Sequence, residues 1–225
     1  MKIGIVCALE SEIQLLRKHF SDVTEHKIGG VRITEIRACS HTLLLTISGI
    51  GKTRAAMAVQ TLAVAFGCDV IINTGLAGGC GDAKPGTAVL AQRAVYHDFD
   101  LNILSNDRES YPDGFETDGR LTEYAGQALE NAGIDFVRGT AATGDIFVAD
   151  KFVKDAIVKR TGCVCLDMEA AAIAHAASVN SLPTVIVKVI SDSADEQAAT
   201  DFEAALRLYA ERCAAFVREM VRIIN

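Results

Sequence analysis

Three carboxylates stand just past apolar runs, where they could do acid–base work. Asp192 follows the run 185–190 (VIVKVI) within VISDSAD at 189–195. Such a run of β-branched residues reads as a buried parallel strand. A Ser-Asp pair at its carboxyl end lies where open α/β sheets place their ligands. Glu12 follows the apolar stretch at 3–6, and Glu169 follows 164–166. Acids gathered at one sheet edge suit proton transfer to and from a small, polar, uncharged molecule. Each also has a plainer reading. Glu12 and Glu169 would complement the dipole of a first helical turn, worth about 0.3–1 kcal/mol, and Asp192 could cap a turn. Their joint placement at strand ends is what raises them above those readings.

The elements that must carry these acids follow from periodicity. Residues 1–7 read as a strand, and Leu9, Ile13, Leu16 and Phe20 recur at helical spacing after it. Strands are expected at 31–37, 42–47, 69–73, 87–92, 93–97, 137–143 and 163–168, and helices at about 51–65, 122–132 and 169–178. Residues 100–118 read as a long polar loop. The last helix shows TDFE at 200–203 as a capping box, then an apolar stripe through Phe202, Leu206, Tyr209, Cys213, Phe216, Met220 and Ile224. Alternating strands and helices predict an α/β fold. The expected form is one domain over residues 1–225, with a central mixed, partly barrel-like β-sheet surrounded by helices.

Composition narrows the function classes. The chain has 225 residues, half of them apolar, enough for a sizeable core, and its three prolines mark no linker. A net charge of −7 without a basic stripe argues against nucleic-acid binding. The longest apolar candidate, 55–66, is broken by Gln60 and Thr61, so no membrane span is expected. The N-terminus enters a strand at once, without a secretory pattern. Seven cysteines, mostly in apolar runs, fit reduced buried thiols and a cytoplasmic protein better than a disulfide framework. Cys163 and Cys165 lack zinc-ligand spacing, so no metal is expected.

The glycine-rich segments are weak nucleotide motifs. SGIGKT at 48–53 has Thr46 where a Walker loop needs its first glycine. TGLAGG at 74–79 fails the dinucleotide pattern. A cradle for a small ligand, or a tight turn, explains both better. His97 and His175 read as core or helix-surface residues rather than ligands.

The order and context of these segments resemble the nucleoside phosphorylase and nucleosidase superfamily. The resemblance rests on LDMEAAAIAH at 166–175 and VISDSAD at 189–195. It extends through KIGI at 2–5, ALESE at 8–12, SGIGK at 48–52, IINTGLAGG at 71–79, YHD at 96–98 and TGDIF at 143–147. Within the superfamily the chain most resembles the bacterial 5′-methylthioadenosine/S-adenosylhomocysteine nucleosidases.

That resemblance implies a nucleoside phosphorylase-like fold and cleavage of an N-glycosidic bond between adenine and a 5′-thioribose, with no cofactor. It implies that Asp192 protonates adenine N7 and that Glu12 activates water. Glu169 would hold the ribose hydroxyls over Met168. Phe147 would stack on adenine, and the backbone of Val148 would read its edge. Ile50 and Phe202 would line the 5′-thioalkyl pocket. Leu101 and Leu104 match positions that reach across a homodimer interface. Leu76 and Lys188 stand where the family usually has Ser and Arg, near the attacking water and ribose. The alternatives are a nucleosidase for another 5′-modified nucleoside of futalosine type, a phosphate-dependent phosphorylase, and a catalytically silent binding module, against which the three intact acids argue.

Overall fold

The computed structural model describes residues 1–10, 14, 17, 23–38, 40–99 and 112–224, with backbone only at 203–205, 207 and 208. Most of the expected helix after residue 8, together with Glu12, Leu101 and Leu104, falls outside the described residues; residues 10, 14 and 17 of it are described and helical.

Strand β1 (Lys2–Cys7) lies between two parallel neighbours, β4 (His41–Ile47) and β5 (Val70–Gly79). Its alternation divides the core in two. Ile3 and Ile5 face a cluster with Leu43, Leu45, Val187, Phe216 and Met220. Val6 faces the other way, with Leu44, Ala55, Val59 and Ile173. Period-two side chains on a sheet covered on both faces require this double burial.

Beyond β4 the sheet runs antiparallel through β3 (Val31–Ala38) to an edge strand, β2 (Val23–Ile28). On the other side β5 feeds the barrel. Its middle pairs in parallel with β10 (Thr184–Asp192), and its last residues, Gly78 and Gly79, pair with β9 (Cys163–Asp167). From β9 the order runs through β8 (Phe136–Thr143) and β6 (Ala88–Tyr96) back to β10, closing the ring. A short strand, β7 (Phe115–Glu116), hangs on β6. The mixed, partly barrel-like sheet expected from the sequence is therefore present.

Helices α1 (Lys52–Thr61) and α4 (Ala170–Val179) cover one face. Helices α2 (Gly119–Asn131) and α5 (Ala198–Ile223) cover the other. Helix α3 (Lys151–Thr161) packs against the ends of β8 and β9. Asp118 caps α2 by accepting from the Leu121 N–H at 2.8 Å, and Asp150 caps α3 through Val153 N–H at 3.0 Å.

Several expectations need correction. The two strands expected at 87–92 and 93–97 are one strand, whose register slips between Ala91 and Arg93. A bulge interrupts alternation without ending the strand. The capping box at 200–203 does not form, because α5 already begins at Ala198 after Gln197. Thr200 therefore sits inside the helix. Part of the loop expected at 100–118 is ordered as β7 and as Asp118, the N-cap of α2, and that helix begins at Gly119 rather than near Thr122. Strand β2 and helix α3 were not expected at all.

Candidate active site

The carboxyl ends of β5, β9 and β10 meet at one cavity. Its lining includes Leu9, Ile50, Leu76, Phe147, Val148, Met168, Glu169, Asp192 and Phe202. Eight of the residues singled out in the sequence thus line one cavity. Lys188 does not line it.

Asp192 is 2% exposed at the end of β10. The β10–β5 register shifts between Ile190 and Asp192, a bulge that re-aims the last side chain. Oδ2 accepts from the Ser191 hydroxyl at 2.6 Å, and Oδ1 accepts from the Ala194 N–H at 2.8 Å. Ala194 adopts a left-handed conformation, φ 49°, which an alanine holds only under local constraint. That turn brings its amide under the carboxylate. Gly78 makes room for it, since a Cβ there would stand 2.9 Å from Ala194 Cβ and 3.0 Å from Asp192 Oδ1. Burial pushes the Asp192 carboxyl above its ordinary value. The Ser191 and Ala194 donors oppose that shift, and the nearby charges of Asp201 and Asp195 add to it. A carboxyl that holds its proton beyond the usual range can act as an acid.

Glu169 is 6% exposed and occupies the N-cap position of α4 without capping it through its side chain. Its Oε1 instead accepts from the Gly51 N–H at 2.9 Å. Gly51 has φ 100°, a conformation open to glycine and strained for other residues, so the SGIGK segment serves to aim a backbone amide.

Lys188 lies behind the lining. Its ammonium is 2.7 Å from Asp167 Oδ2, with side chains 2% and 1% exposed. Asp167 also accepts from Thr143 Oγ1 at 2.5 Å and from the Ala170 N–H at 2.8 Å. Asp167 itself borders the cavity, immediately before Met168 and Glu169. Sequence reading passed over Asp167, although a lysine inside a buried strand demands a buried counter-charge.

Leu76 packs with Val189 and Cys213, and with partly buried Phe202 and Leu206 of α5. It therefore joins the cavity wall to the helix that carries Phe202. Phe202 and Phe147 meet edge-on, with ring centroids 6.0 Å apart. This side of the cavity suits an apolar group.

Two cations flank the glycine segment, and both are engaged: Arg54 Nε donates to the Ser48 carbonyl at 2.7 Å, and Lys52 turns to Asp98. The Lys52 ammonium sits 2.6 Å and 2.7 Å from the two Asp98 oxygens and 4.4 Å from the Phe99 ring centroid. His97 is buried outside the lining, and burial pushes its pKa below the ordinary value. His175 meets the Tyr96 hydroxyl at 3.2 Å and stacks on Phe115. Among the described residues no cluster of His, Cys, Asp and Glu could hold a metal ion. Cys163 and Cys165 are buried free thiols there.

Comparison with known proteins gives a consistent picture. The family model of the phosphorylase superfamily matches residues 2–222. A 5′-methylthioadenosine/S-adenosylhomocysteine nucleosidase from Actinobacillus succinogenes is 34% identical, over 98% of both chains. The Neisseria meningitidis nucleosidase of that name, solved with methylthio-immucillin-A, superposes with a TM-score of 0.94 at 33% identity, covering 99% of both chains. A futalosine hydrolase mutant of Helicobacter pylori superposes with a TM-score of 0.93 at 27% identity, covering 100% of both.

Proposed function

Because the chain belongs to the phosphorylase superfamily, we propose that it is a nucleosidase that hydrolyses the N-glycosidic bond of 5′-methylthioadenosine and S-adenosylhomocysteine. The products are adenine and a 5′-thioribose. The observation that carries this reading is the cavity itself. It joins a buried carboxyl with a raised pKa, a second buried carboxylate, and an apolar wall.

Glycosidic cleavage passes through an oxocarbenium-like state and needs an acid for the leaving group and a base for the nucleophile. Asp192 is the acid. It delivers its proton to adenine N7, so the base departs neutral. Glu12, outside the described residues, is the base that takes a proton from water as it attacks the anomeric carbon. Glu169 accepts hydrogen bonds from the ribose hydroxyls, a geometry for which one carboxylate and a vicinal diol are well matched. Met168 lies beneath the sugar. Phe147 stacks on adenine, and backbone groups of Val148 pair with its edge. Ile50 and Phe202 enclose the 5′-thioalkyl group. The reaction needs no cofactor.

Water rather than phosphate is the nucleophile. A phosphate dianion wants free, convergent cations, whereas Lys52 is held by Asp98 at 2.6 Å and Arg54 Nε by the Ser48 carbonyl at 2.7 Å. Leu76 and Lys188 act indirectly, Leu76 by shaping the thioalkyl wall and Lys188 by holding Asp167. The protein works in the cytoplasm, where buried cysteines such as Cys7, Cys165 and Cys213 stay reduced.

The test is a nucleoside panel of methylthioadenosine, adenosylhomocysteine, adenosine, inosine and futalosine, assayed for released base with and without phosphate. Adenine and free thioribose should appear in phosphate-free buffer. Turnover that requires phosphate and yields a ribose 1-phosphate would overturn the hydrolase reading, and selective cleavage of futalosine would overturn the substrate.

A further inference from the structure

Helix α1 begins with Gly51 at its N-cap and has no capping side chain of its own. The cap comes from elsewhere in the chain. Asp145 Oδ1, in the loop that follows β8, accepts from the Lys52 N–H at 2.8 Å. The Asp145 N–H in turn donates to Asp98 Oδ2 at 2.8 Å, and Asp98 is held by the Lys52 ammonium. The ring closes on itself: Lys52 backbone to Asp145, Asp145 backbone to Asp98, Asp98 to Lys52 side chain.

This ring joins the start of α1 to the loop after β8, adding to the β8–β9 contacts that already tie that loop to the Glu169 segment. On one side stands Gly51, whose N–H holds Glu169 Oε1. On the other stand Phe147 and Val148, which directly follow Asp145 and line the cavity. We propose that Asp145 is a positioning residue that couples the base-binding loop to the ribose-binding carboxylate, with Lys52 and Asp98 as its brace. It touches no substrate. By fixing the first turn of α1 it aims the Gly51 amide at Glu169, and by fixing its own loop it sets Phe147. The packing there is close: a Cβ on Gly51 would lie 3.0 Å from Asp145 Oδ1. The inference rests on the nucleosidase reading for the identity of the two subsites, and on the structure alone for the coupling between them.

The experiment compares a ribonucleoside with its 2′-deoxy analogue, which lacks one of the two ribose hydroxyls through which Glu169 acts. With methylthioadenosine, Asp145→Ala should lower kcat/KM about five- to tenfold, the scale of one lost helix cap. With 5′-methylthio-2′-deoxyadenosine one of the two contacts is already gone, so the loss should be about two- to threefold and the preference for the ribonucleoside shrinks. Asp145→Asn keeps the accepting oxygen and should restore both the rate and the preference. Lys52→Met leaves the cap but removes the brace, and should shrink the preference in the same direction. It carries the test if Asp145→Ala does not fold, as judged by thermal melting. Equal losses on both substrates, no loss, or failure of Asn to rescue would each overturn the proposal. If the wild-type protein cleaves a different nucleoside, the substrate reading fails alone, and the same ratio is measured on that nucleoside and its deoxy analogue.

Discussion

In the proposed reaction Asp192 must hold a proton near neutral pH, and its surroundings favour that form. Burial is the largest cause of its raised pKa, with Asp201 and Asp195 adding repulsion. A carboxyl whose folded pKa lies above its unfolded value contributes stability that is fully present below the ordinary carboxylate range. That contribution is lost as pH rises through the raised value. Asp192→Asn should therefore lower kcat about 10²–10⁴-fold for want of a general acid, yet stabilise the fold relative to the parent above that pH. Denaturation curves across pH, run beside rate measurements, check both halves. Near-normal turnover would remove Asp192 from the mechanism. The neighbouring charges give a second prediction. Asp201→Asn removes one cause of the shift, so the Asp192 pKa falls. The alkaline limb of kcat/KM should then move to lower pH, because deprotonation is what ends activity. A limb that stays in place would show that Asp192 does not govern it.

At the scale of elements, the site hangs on β10 and β9 held together by one buried ion pair. Lys188 and Asp167 are almost wholly enclosed, 2.7 Å apart. Removing one partner of such a pair leaves an unpaired buried charge and costs about 3–5 kcal/mol. Lys188→Met should lose stability on that scale in chemical denaturation, and activity with it, since Asp167 also ties Thr143 to the first turn of α4. A variant as stable as the parent would mean that Asp167 finds another partner or binds a proton at little cost. Strands β9 and β10 and the first half of β5 were legible in the sequence, because their apolar runs are buried on both sides. The second half of β5 was not: TGLAGG at 74–79 read as a cradle or tight turn, yet it continues the strand through Gly79. The edge strand β2 was not legible, because VTEHKI is half exposed with polar residues on both faces and shows no apolar alternation. Helix α3 was missed for a related reason: it buries only Ile157 and exposes Phe152. The bulge in β6 read as a break between two strands. Residue types marked Asp192 and Glu169. The contacts of Asp167 and Asp145 depend on which strands and loops become neighbours, which no local pattern encodes.

At the scale of the whole molecule, the mouth of the cavity exposes several apolar side chains. Ile50 is 57% exposed, Ile146 52% and Phe147 47%, all at the cavity, and Phe152 at the start of α3 is 83% exposed. Acid–base catalysis gains from excluding water, and half-open walls around a nucleoside would forfeit part of that gain. Exposed apolar surface around a binding site is also a mark of an interaction surface. We propose that a second copy covers it in a two-fold homodimer, the commonest symmetric arrangement. Leu101 and Leu104, outside the described residues, are the positions by which each subunit would complete its partner's thioalkyl pocket. Sedimentation at assay concentration should then report a dimer. Leu104→Asp places a charge in an apolar contact and should weaken self-association. It should also raise KM for methylthioadenosine more than for adenosine, which has no thioether to enclose. Phe152→Ser, which keeps the pocket intact, should separate the effects, with weaker association and a KM that recovers as protein concentration rises. A monomer with full activity on thioether substrates, or a Leu104→Asp variant with unchanged KM for both nucleosides, would show that each subunit builds its pocket alone.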